Sequence, residues 1–181
     1  MQTDATYRGR LVILVGLPGA GKTTLASWLA DEYGFSVASR DTIRTAMFPR
    51  CRFTFEEKAA AYDAMKAAVA TMLGLGLDVV TDGITFSSGT QLREVMALGA
   101  SAGVPTTVLH CAVPVALAQQ RVEHDRATDP SIPADRDASL VVEVAQRFDP
   151  LPDGAIEIDT AAPLHEVRRR ASQALRLGAT R

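Results

Sequence analysis

The chain has 181 residues and a formal net charge of −2 at pH 7, with 47% hydrophobic and 22% charged residues. This balance is typical of a globular protein with a sizeable buried core and argues against extended disorder. Proteins that bind nucleic acid through its phosphates usually carry a basic excess, which the whole chain lacks. No apolar run approaches the roughly 18 residues that span a bilayer, and residues 1–10 lack a signal-peptide core. The composition predicts one domain over residues 1–181, in the cytoplasm and without membrane contact.

Apolar runs and segments of helical spacing alternate along the chain. The apolar runs predict buried strands over residues 11–15, 35–38, 77–81, 104–113 and 156–158. Helical spacing predicts helices over residues 23–33, 54–73, 90–102, 138–148 and 163–177, and one more that begins at Pro114. Thr54 and Glu57 form a capping box at the start of one of them. This alternation predicts a three-layer α/β fold, in which a mainly parallel five-stranded sheet lies between two layers of helices.

The segment that joins the first strand to the first helix reads GLPGAGKT over residues 16–23 and matches the P-loop pattern G-x-x-x-x-G-K-[ST]. Its glycines let backbone N–H groups wrap around phosphate, and the helix N-terminus adds a positive dipole end. Lys22 is expected to contact the β- and γ-phosphates, Thr23 to ligate Mg²⁺, and Thr24 to reach the α-phosphate. The motif therefore predicts an ATP·Mg²⁺ site formed by Gly16, Leu17, Pro18, Gly19, Ala20, Gly21, Lys22, Thr23 and Thr24. No local feature separates ATP from GTP.

The second strand is followed by the residues SRDTIR at positions 39–44. Ligands of open α/β sheets lie beyond the carboxyl ends of the strands, so Asp41 is expected near the γ-phosphate. A carboxylate there accepts the proton of an attacking hydroxyl and orients it, and Arg44, one helical turn away, would hold the acceptor. The spacing equally allows Asp41 to be only the N-cap of a helix that starts at Thr42.

Three motifs together give a family resemblance. GLPGAGKTT at 16–24, R-D-x-x-R at 40–44 and V-V-x-D at 79–82 resemble the P-loop kinases that include polynucleotide 5′-kinases, zeta-toxin-like kinases and chloramphenicol phosphotransferase. The resemblance covers roughly residues 11–151. It implies a kinase-like P-loop NTPase fold with a lid, in which Asp41 is the general base and Arg44 contacts the acceptor side.

Two further residues are candidates for the acceptor side. Asp82 ends the third strand, where it would hold Mg²⁺, bind the acceptor or merely form a turn with Gly83. The polynucleotide kinases tend to have Asp-x-Asn at this place, and the residues DGI at 82–84 depart from that pattern, which weakens the case for nucleic-acid ends. Arg93 matches an arginine of the next helix in these kinases, although a solvated helix face explains it equally well.

The polar segment at residues 121–137 is a candidate lid. Kinases close mobile segments over the transferring phosphoryl group to exclude water. Arg121 and Arg126 would neutralise the phosphate oxygens, as matching arginines do in the resembling kinases, and Arg136 is a candidate for contact with adenine. The alternative is an ordinary charged loop.

These features favour an ATP-dependent kinase with Asp41, Lys22 and Arg126 as catalytic residues. Its acceptor would be a hydroxyl of a small molecule such as an antibiotic, a sugar or a nucleoside. The alternatives are a polynucleotide 5′-hydroxyl kinase, supported by residues 40–44, and a nucleotide-dependent switch or interaction module. The sequence identifies neither the acceptor nor the oligomeric state.

Overall fold

The computed structural model describes residues 9–129, 132 and 136–178. Its strands are β1 (Leu11–Val15), β2 (Ser36–Ser39), β3 (Val79–Asp82), β4 (Thr106–Ala112) and β5 (Ile156–Asp159). Its helices are α1 (Lys22–Tyr33), α2 (Arg40–Met47), α3 (Phe55–Gly74), α4 (Gly89–Ala102), α5 (Val115–Thr128), α6 (Ala138–Gln146) and α7 (Leu164–Leu175). The elements expected from the sequence are present, with ends that differ by about two residues.

The five strands form one sheet in the order β2-β3-β1-β4-β5, and every neighbouring pair is parallel. Strand β1 is central and fully buried, because helices cover both faces of the sheet. Consecutive strands lie on opposite sides of β1, since β3 pairs with one edge and β4 with the other. A crevice therefore opens beyond the carboxyl end of β1, which is where ligands of such sheets bind. The predicted three-layer P-loop fold is confirmed.

Two hydrophobic cores lie on the two faces of the sheet. Successive side chains of a strand point to opposite faces, so β1 contributes to both cores. Leu11, Ile13 and Val15 pack with the inner faces of α3 and α4. Val12 and Leu14 pack with residues of α1 and α7. The P-loop between β1 and α1 is thus anchored at each end by a buried element.

A smaller cluster joins α5 to α6 through Ala118, Val122 and Val141. Helix α5 extends to Thr128, so the first half of the candidate lid at 121–137 is helical. Residues 130, 131 and 133–135 of that segment lie outside the described residues, and lid closure stays a prediction. Within the described ranges, none of the helices combines the length and the apolar character that a membrane span requires.

Helix α3 begins with the predicted capping box. The Thr54 hydroxyl accepts a hydrogen bond from the Glu57 amide at 3.3 Å, and the Glu57 carboxylate accepts one from the Thr54 amide at 3.1 Å. The same carboxylate oxygen accepts the Arg52 amide at 2.9 Å and the Cys51 thiol at 3.4 Å. One side chain therefore holds both the helix end and the turn that precedes it.

Replacement of Thr54 by alanine removes the acceptor for the Glu57 amide. We expect Thr54→Ala to lower the free energy of unfolding by about 1 kcal/mol, measured as a lower urea midpoint with an unchanged m-value. Thr71→Ala is the matched control, since the Thr71 hydroxyl only donates to the Ala67 carbonyl within the same helix. Equal losses in the two variants would show that the cap does not stabilise the helix.

Candidate functional site

The P-loop passes close to the backbone of neighbouring elements. Gly16 has a φ of 150°, and a Cβ added there would lie 2.6 Å from the carbonyl oxygen of Cys111. The Gly16 amide donates to the Thr85 carbonyl at 3.1 Å. Helix α1 then begins at Lys22 with Gly21 as N-cap and without a side-chain cap. The amides of its first turn are therefore available to an anion.

The side chain of Lys22 folds back over the P-loop. Its ammonium group donates hydrogen bonds of 2.8 Å to the carbonyl oxygens of Gly16 and Leu17, and the residue is only 8% exposed. Burial lowers the pKa of Lys22 to about 8, although nearby Asp82 and Asp41 act in the opposite direction. A bound phosphate would supply the negative charge that this buried cation lacks.

Thr23 and Asp82 meet where β1 and β3 end. The Thr23 hydroxyl donates to the Asp82 carboxylate at 3.0 Å, and Asp82 is 5% exposed. Oxygen donors of this kind suit Mg²⁺, which usually takes few protein ligands and completes its shell with water and phosphate oxygens. No group of three or more acidic, histidine or cysteine side chains within the described ranges forms a metal site by itself. The pair therefore fits a metal ion that arrives with a nucleotide.

Asp41 lies in the first turn of α2 and does not cap it. Ser39 is the N-cap, because its hydroxyl accepts the Thr42 amide at 3.4 Å. The alternative interpretation of Asp41 as the cap is therefore wrong. Its carboxylate oxygen Oδ1 instead accepts hydrogen bonds from Arg44 Nη1 at 2.7 Å and Arg40 Nη2 at 3.3 Å. Two arginines thus orient one carboxylate.

Gly83 allows the end of β3 to lie against Asp41. It has a φ of 74°, and a Cβ added there would lie 2.7 Å from the Asp41 amide nitrogen and 3.1 Å from the Asp41 carboxyl carbon. Strands β2 and β3 pair with Ser39 opposite Asp82. The two carboxylates, Asp41 and Asp82, are therefore brought to neighbouring strand ends on the same side of the sheet.

A cavity of about 590 Å³ lies over these strand ends. Most of the residues predicted for the site line it, namely Pro18, Gly19, Ala20, Gly21, Lys22, Thr23, Thr24, Asp41, Arg44, Asp82 and Arg121. Gly16 and Leu17 take part through the carbonyl groups that bind Lys22. The structure therefore places the phosphate loop and Asp41 on the walls of one cavity.

The predicted arginines differ in position. Arg121 donates to the Thr160 carbonyl at 2.8 Å and the Gly19 carbonyl at 3.3 Å, so it braces the P-loop against the segment after β5. Arg126 lies 3.7 Å from Glu123 and is not among the residues that line the cavity, whereas Arg136 is. Arg93 donates to the Thr90 hydroxyl at 3.1 Å and also lies outside that cavity.

Sequence reasoning missed several residues of the cavity wall. These are Trp28, Arg40, Phe53, Lys58, Arg147, Thr160 and Arg168. The Arg168 guanidinium lies 5.9 Å from the centre of the Trp28 ring. Trp28 belongs to the hydrophobic core and also borders the cavity. Only the packing of α7 against α1 brings these two side chains together.

Comparisons with known proteins agree with this fold. The model of a family described as an AAA domain (AAA_33) matches residues 11–151. A proposed kinase from Chloroflexus aurantiacus has a similar structure, with 21% identity, a TM-score of 0.74, and coverage of 97% of this chain and 100% of the other. The Mycobacterium tuberculosis APS kinase in complex with AMPPNP and APS shows 17% identity and a TM-score of 0.69, with coverage of 93% of this chain and 98% of the other. A chain of the Pnkp1/Rnl/Hen1 RNA repair complex shows 20% identity and a TM-score of 0.62, with coverage of 81% of this chain and 49% of the other. No curated protein matches the chain.

Gly83 and Gly34 provide a matched pair for testing the contact with Asp41. Both have a positive φ, 74° and 73°, but a Cβ on Gly34 meets no described atom within 4 Å. We expect Gly34→Ala to cost about 1–2 kcal/mol of stability from backbone strain alone. Gly83→Ala should cost at least about 1 kcal/mol more in the same urea titration, because the backbone of Asp41 must move. Equal losses of stability in the two variants would contradict the close approach of Gly83 to Asp41.

The lowered pKa of Lys22 predicts a pH dependence of nucleotide binding. A phosphate favours the charged amine, so binding takes up a proton when Lys22 is neutral in the free protein. We expect the affinity for ATP to fall about tenfold between pH 7 and pH 9, measured by calorimetry in buffers of different ionisation enthalpy. Lys22→Met should bind weakly with a flat profile. A flat profile in the unaltered protein would show that Lys22 keeps its ordinary pKa.

Proposed function

We propose that this chain, which belongs to the AAA domain family over residues 11–151, is an ATP-dependent kinase whose acceptor is a hydroxyl of a small molecule. The observation that carries this proposal is the cavity, which is lined by both Lys22 and Asp41. A phosphate bound at the P-loop and an alcohol beside Asp41 would then share one cavity.

In this proposal the P-loop amides and Lys22 bind the phosphates of ATP. Thr23 and Asp82 would hold the Mg²⁺ that accompanies the nucleotide, since their oxygen atoms lie 3.0 Å apart. The metal ion would neutralise phosphate charge when it is bound. The protein's own contribution is to position the terminal phosphoryl group in front of the acceptor.

Asp41 would act as the general base. Both of its contacts with Arg44 and Arg40 use oxygen Oδ1. Within the described ranges, the second oxygen has no such partner and is the one that would accept the proton of the acceptor hydroxyl. A bond then forms between the acceptor oxygen and the γ-phosphorus as the bond to the bridging oxygen of ATP breaks, and ADP leaves.

The charge that spreads over the transferring group needs further cations. Arg136 lines the cavity and is near enough to lower the pKa of Lys22 and of Arg40 by repulsion. It is better placed for this role than Arg126, which lies beside Glu123. We propose that closure of the segment around Arg136 excludes water during transfer.

A polynucleotide 5′-hydroxyl kinase is the second candidate function. The likeness to a chain of an RNA repair complex and the many cationic side chains of the cavity support it. A screen of hydroxyl acceptors with γ-labelled ATP, including a 5′-hydroxyl oligonucleotide, would separate the candidates. Oligonucleotide binding should weaken steeply with salt, whereas turnover of a small acceptor should not. Transfer to no acceptor would favour a switch or interaction module.

The role of Asp41 is tested by Asp41→Asn. We expect this variant to transfer phosphoryl groups at least about a hundredfold more slowly, because the amide cannot take up the proton. ATP affinity should change little, since the side-chain contacts of Asp41 are with Arg44 and Arg40. The measurements are single-turnover transfer and calorimetric binding of ATP.

Asp31→Asn is the control for that experiment, because Asp31 lies exposed on α1 away from the cavity. It should transfer at the unaltered rate. Near-normal turnover in Asp41→Asn would remove Asp41 from the mechanism and require another general base.

A further inference from the structure

The part of the cavity around Asp41 is strongly cationic. Arg40 and Arg44 contact Asp41 there, and Lys58 and Arg147 line the same cavity, Arg147 from the end of α6. These cations are additional to Lys22 and Arg136, which lie toward the phosphates in the proposed mechanism. The chain as a whole carries a net charge of −2, so this concentration of positive charge is local. Among the described residues that line the whole cavity, eight side chains are cationic and three, those of Asp41, Asp82 and Asp125, are carboxylates.

The two arginines retain donors that Asp41 does not use. A guanidinium group has five N–H donors, and each arginine gives one hydrogen bond to Asp41. The Nε atoms of Arg40 and Arg44 are buried and have no hydrogen-bond partner among the residues that the structure describes. Arg44 as a whole is only 8% exposed. Because these Nε atoms are shielded from solvent, a ligand in the cavity would meet the remaining Nη donors of the two guanidinium groups, and an anion there would offset the burial of their charge.

The electrostatics of Arg40 agree with this geometry. Burial lowers the pKa of Arg40, and the charges of Arg44 and Arg136 lower it further, whereas Asp41 raises it. Arg40 therefore lies within the influence of two further cations and one carboxylate. An anionic group on a ligand would relieve the repulsion.

The outer wall of this region is held rigidly. Phe53 has a φ of 58°, which is strained for a residue with a side chain, and its ring lies 4.8 Å from the Arg44 guanidinium carbon. The backbone amides on either side, of Arg52 and Thr54, both donate to the Glu57 carboxylate. Because the aromatic ring covers a face of Arg44, the N–H edge of the guanidinium remains for polar partners.

We propose that the acceptor of this protein is a small molecule that carries a phosphate, sulfate or carboxylate group besides its reactive hydroxyl. Arg40, Arg44 and Lys58 bind that anionic group and thereby turn the hydroxyl toward the general base. This inference rests on the proposed kinase function and narrows its substrate class. It excludes uncharged polyols and uncharged antibiotics as good acceptors.

Matched pairs of acceptors test the proposal. We would compare gluconate with glucitol, glucose 6-phosphate with glucose, and adenosine 3′-monophosphate with adenosine, using the full chain and γ-labelled ATP. In at least one pair, kcat/KM for the anionic member should exceed that for the neutral member about 100-fold, as expected of two charge-assisted hydrogen bonds.

Three outcomes would overturn the proposal. An uncharged acceptor that matches or exceeds its anionic partner, in a transfer that Asp41→Asn abolishes, would overturn it and leave the kinase function standing. A 5′-hydroxyl oligonucleotide that is preferred to every small acceptor would overturn the small-molecule part. If no compound accepts phosphate and none of the anions binds to the ADP complex in calorimetry, both the inference and the kinase proposal fail.

Lys58→Met tests the anion site at a cation that belongs to helix α3, outside both the P-loop and α2. It should lower kcat/KM for the best anionic acceptor about tenfold through KM, and lower kcat/KM for the neutral partner much less. Lys66→Met is the matched control, since Lys66 lies on the same helix and binds Asp63 and Glu94 outside the cavity. Equal losses for charged and neutral acceptors in Lys58→Met would contradict the proposal.

Discussion

Parallel pairing of β1, β2 and β3 is the constraint on which the rest of the structure depends. Because all three strands point the same way, the P-loop, Asp41 and Asp82 emerge at a single edge of the sheet. The register that sets Ser39 opposite Asp82 brings the start of α2 to the end of β3. Gly83 then lets the two backbones approach without a side chain between them. The candidate site is a direct consequence of strand order and register.

Buried positive charge is the second main feature of the structure. Lys22 satisfies its ammonium group with two carbonyl oxygens, and Arg44 shares one carboxylate with Arg40. Each arrangement leaves part of the positive charge uncompensated, so an anion could bind in either region. The near-neutral net charge of the chain does not reveal this buried positive charge, because acidic residues elsewhere balance it. Net charge therefore describes solubility better than it describes the site.

Much of the fold could be predicted from the sequence because its signals are local. The apolar runs, the P-loop and the capping box each occupy a few consecutive residues, and their physical effects act over the same short range. The spacing of residues along the chain could not decide between two local arrangements that it allowed equally. The sequence left open whether Asp41 is a catalytic residue or only a helix cap, and only the three-dimensional structure shows that the Ser39 hydroxyl accepts the Thr42 amide instead. Because Ser39 is the cap, the Asp41 carboxylate is available for its contact with Arg44.

The sequence by itself determined the fold class, the phosphate loop and the candidate carboxylates, since each follows from residue type and spacing within one element. The tertiary structure decided which distant side chains share the cavity. Thr23 meets Asp82, and Arg121 meets Thr160, through the packing of separate elements. The same packing sets Phe53 against Arg44 and places Arg136 in the cavity wall instead of Arg126 or Arg93. Contacts between elements depend on how helices pack on the sheet, and no spacing along the chain encodes them.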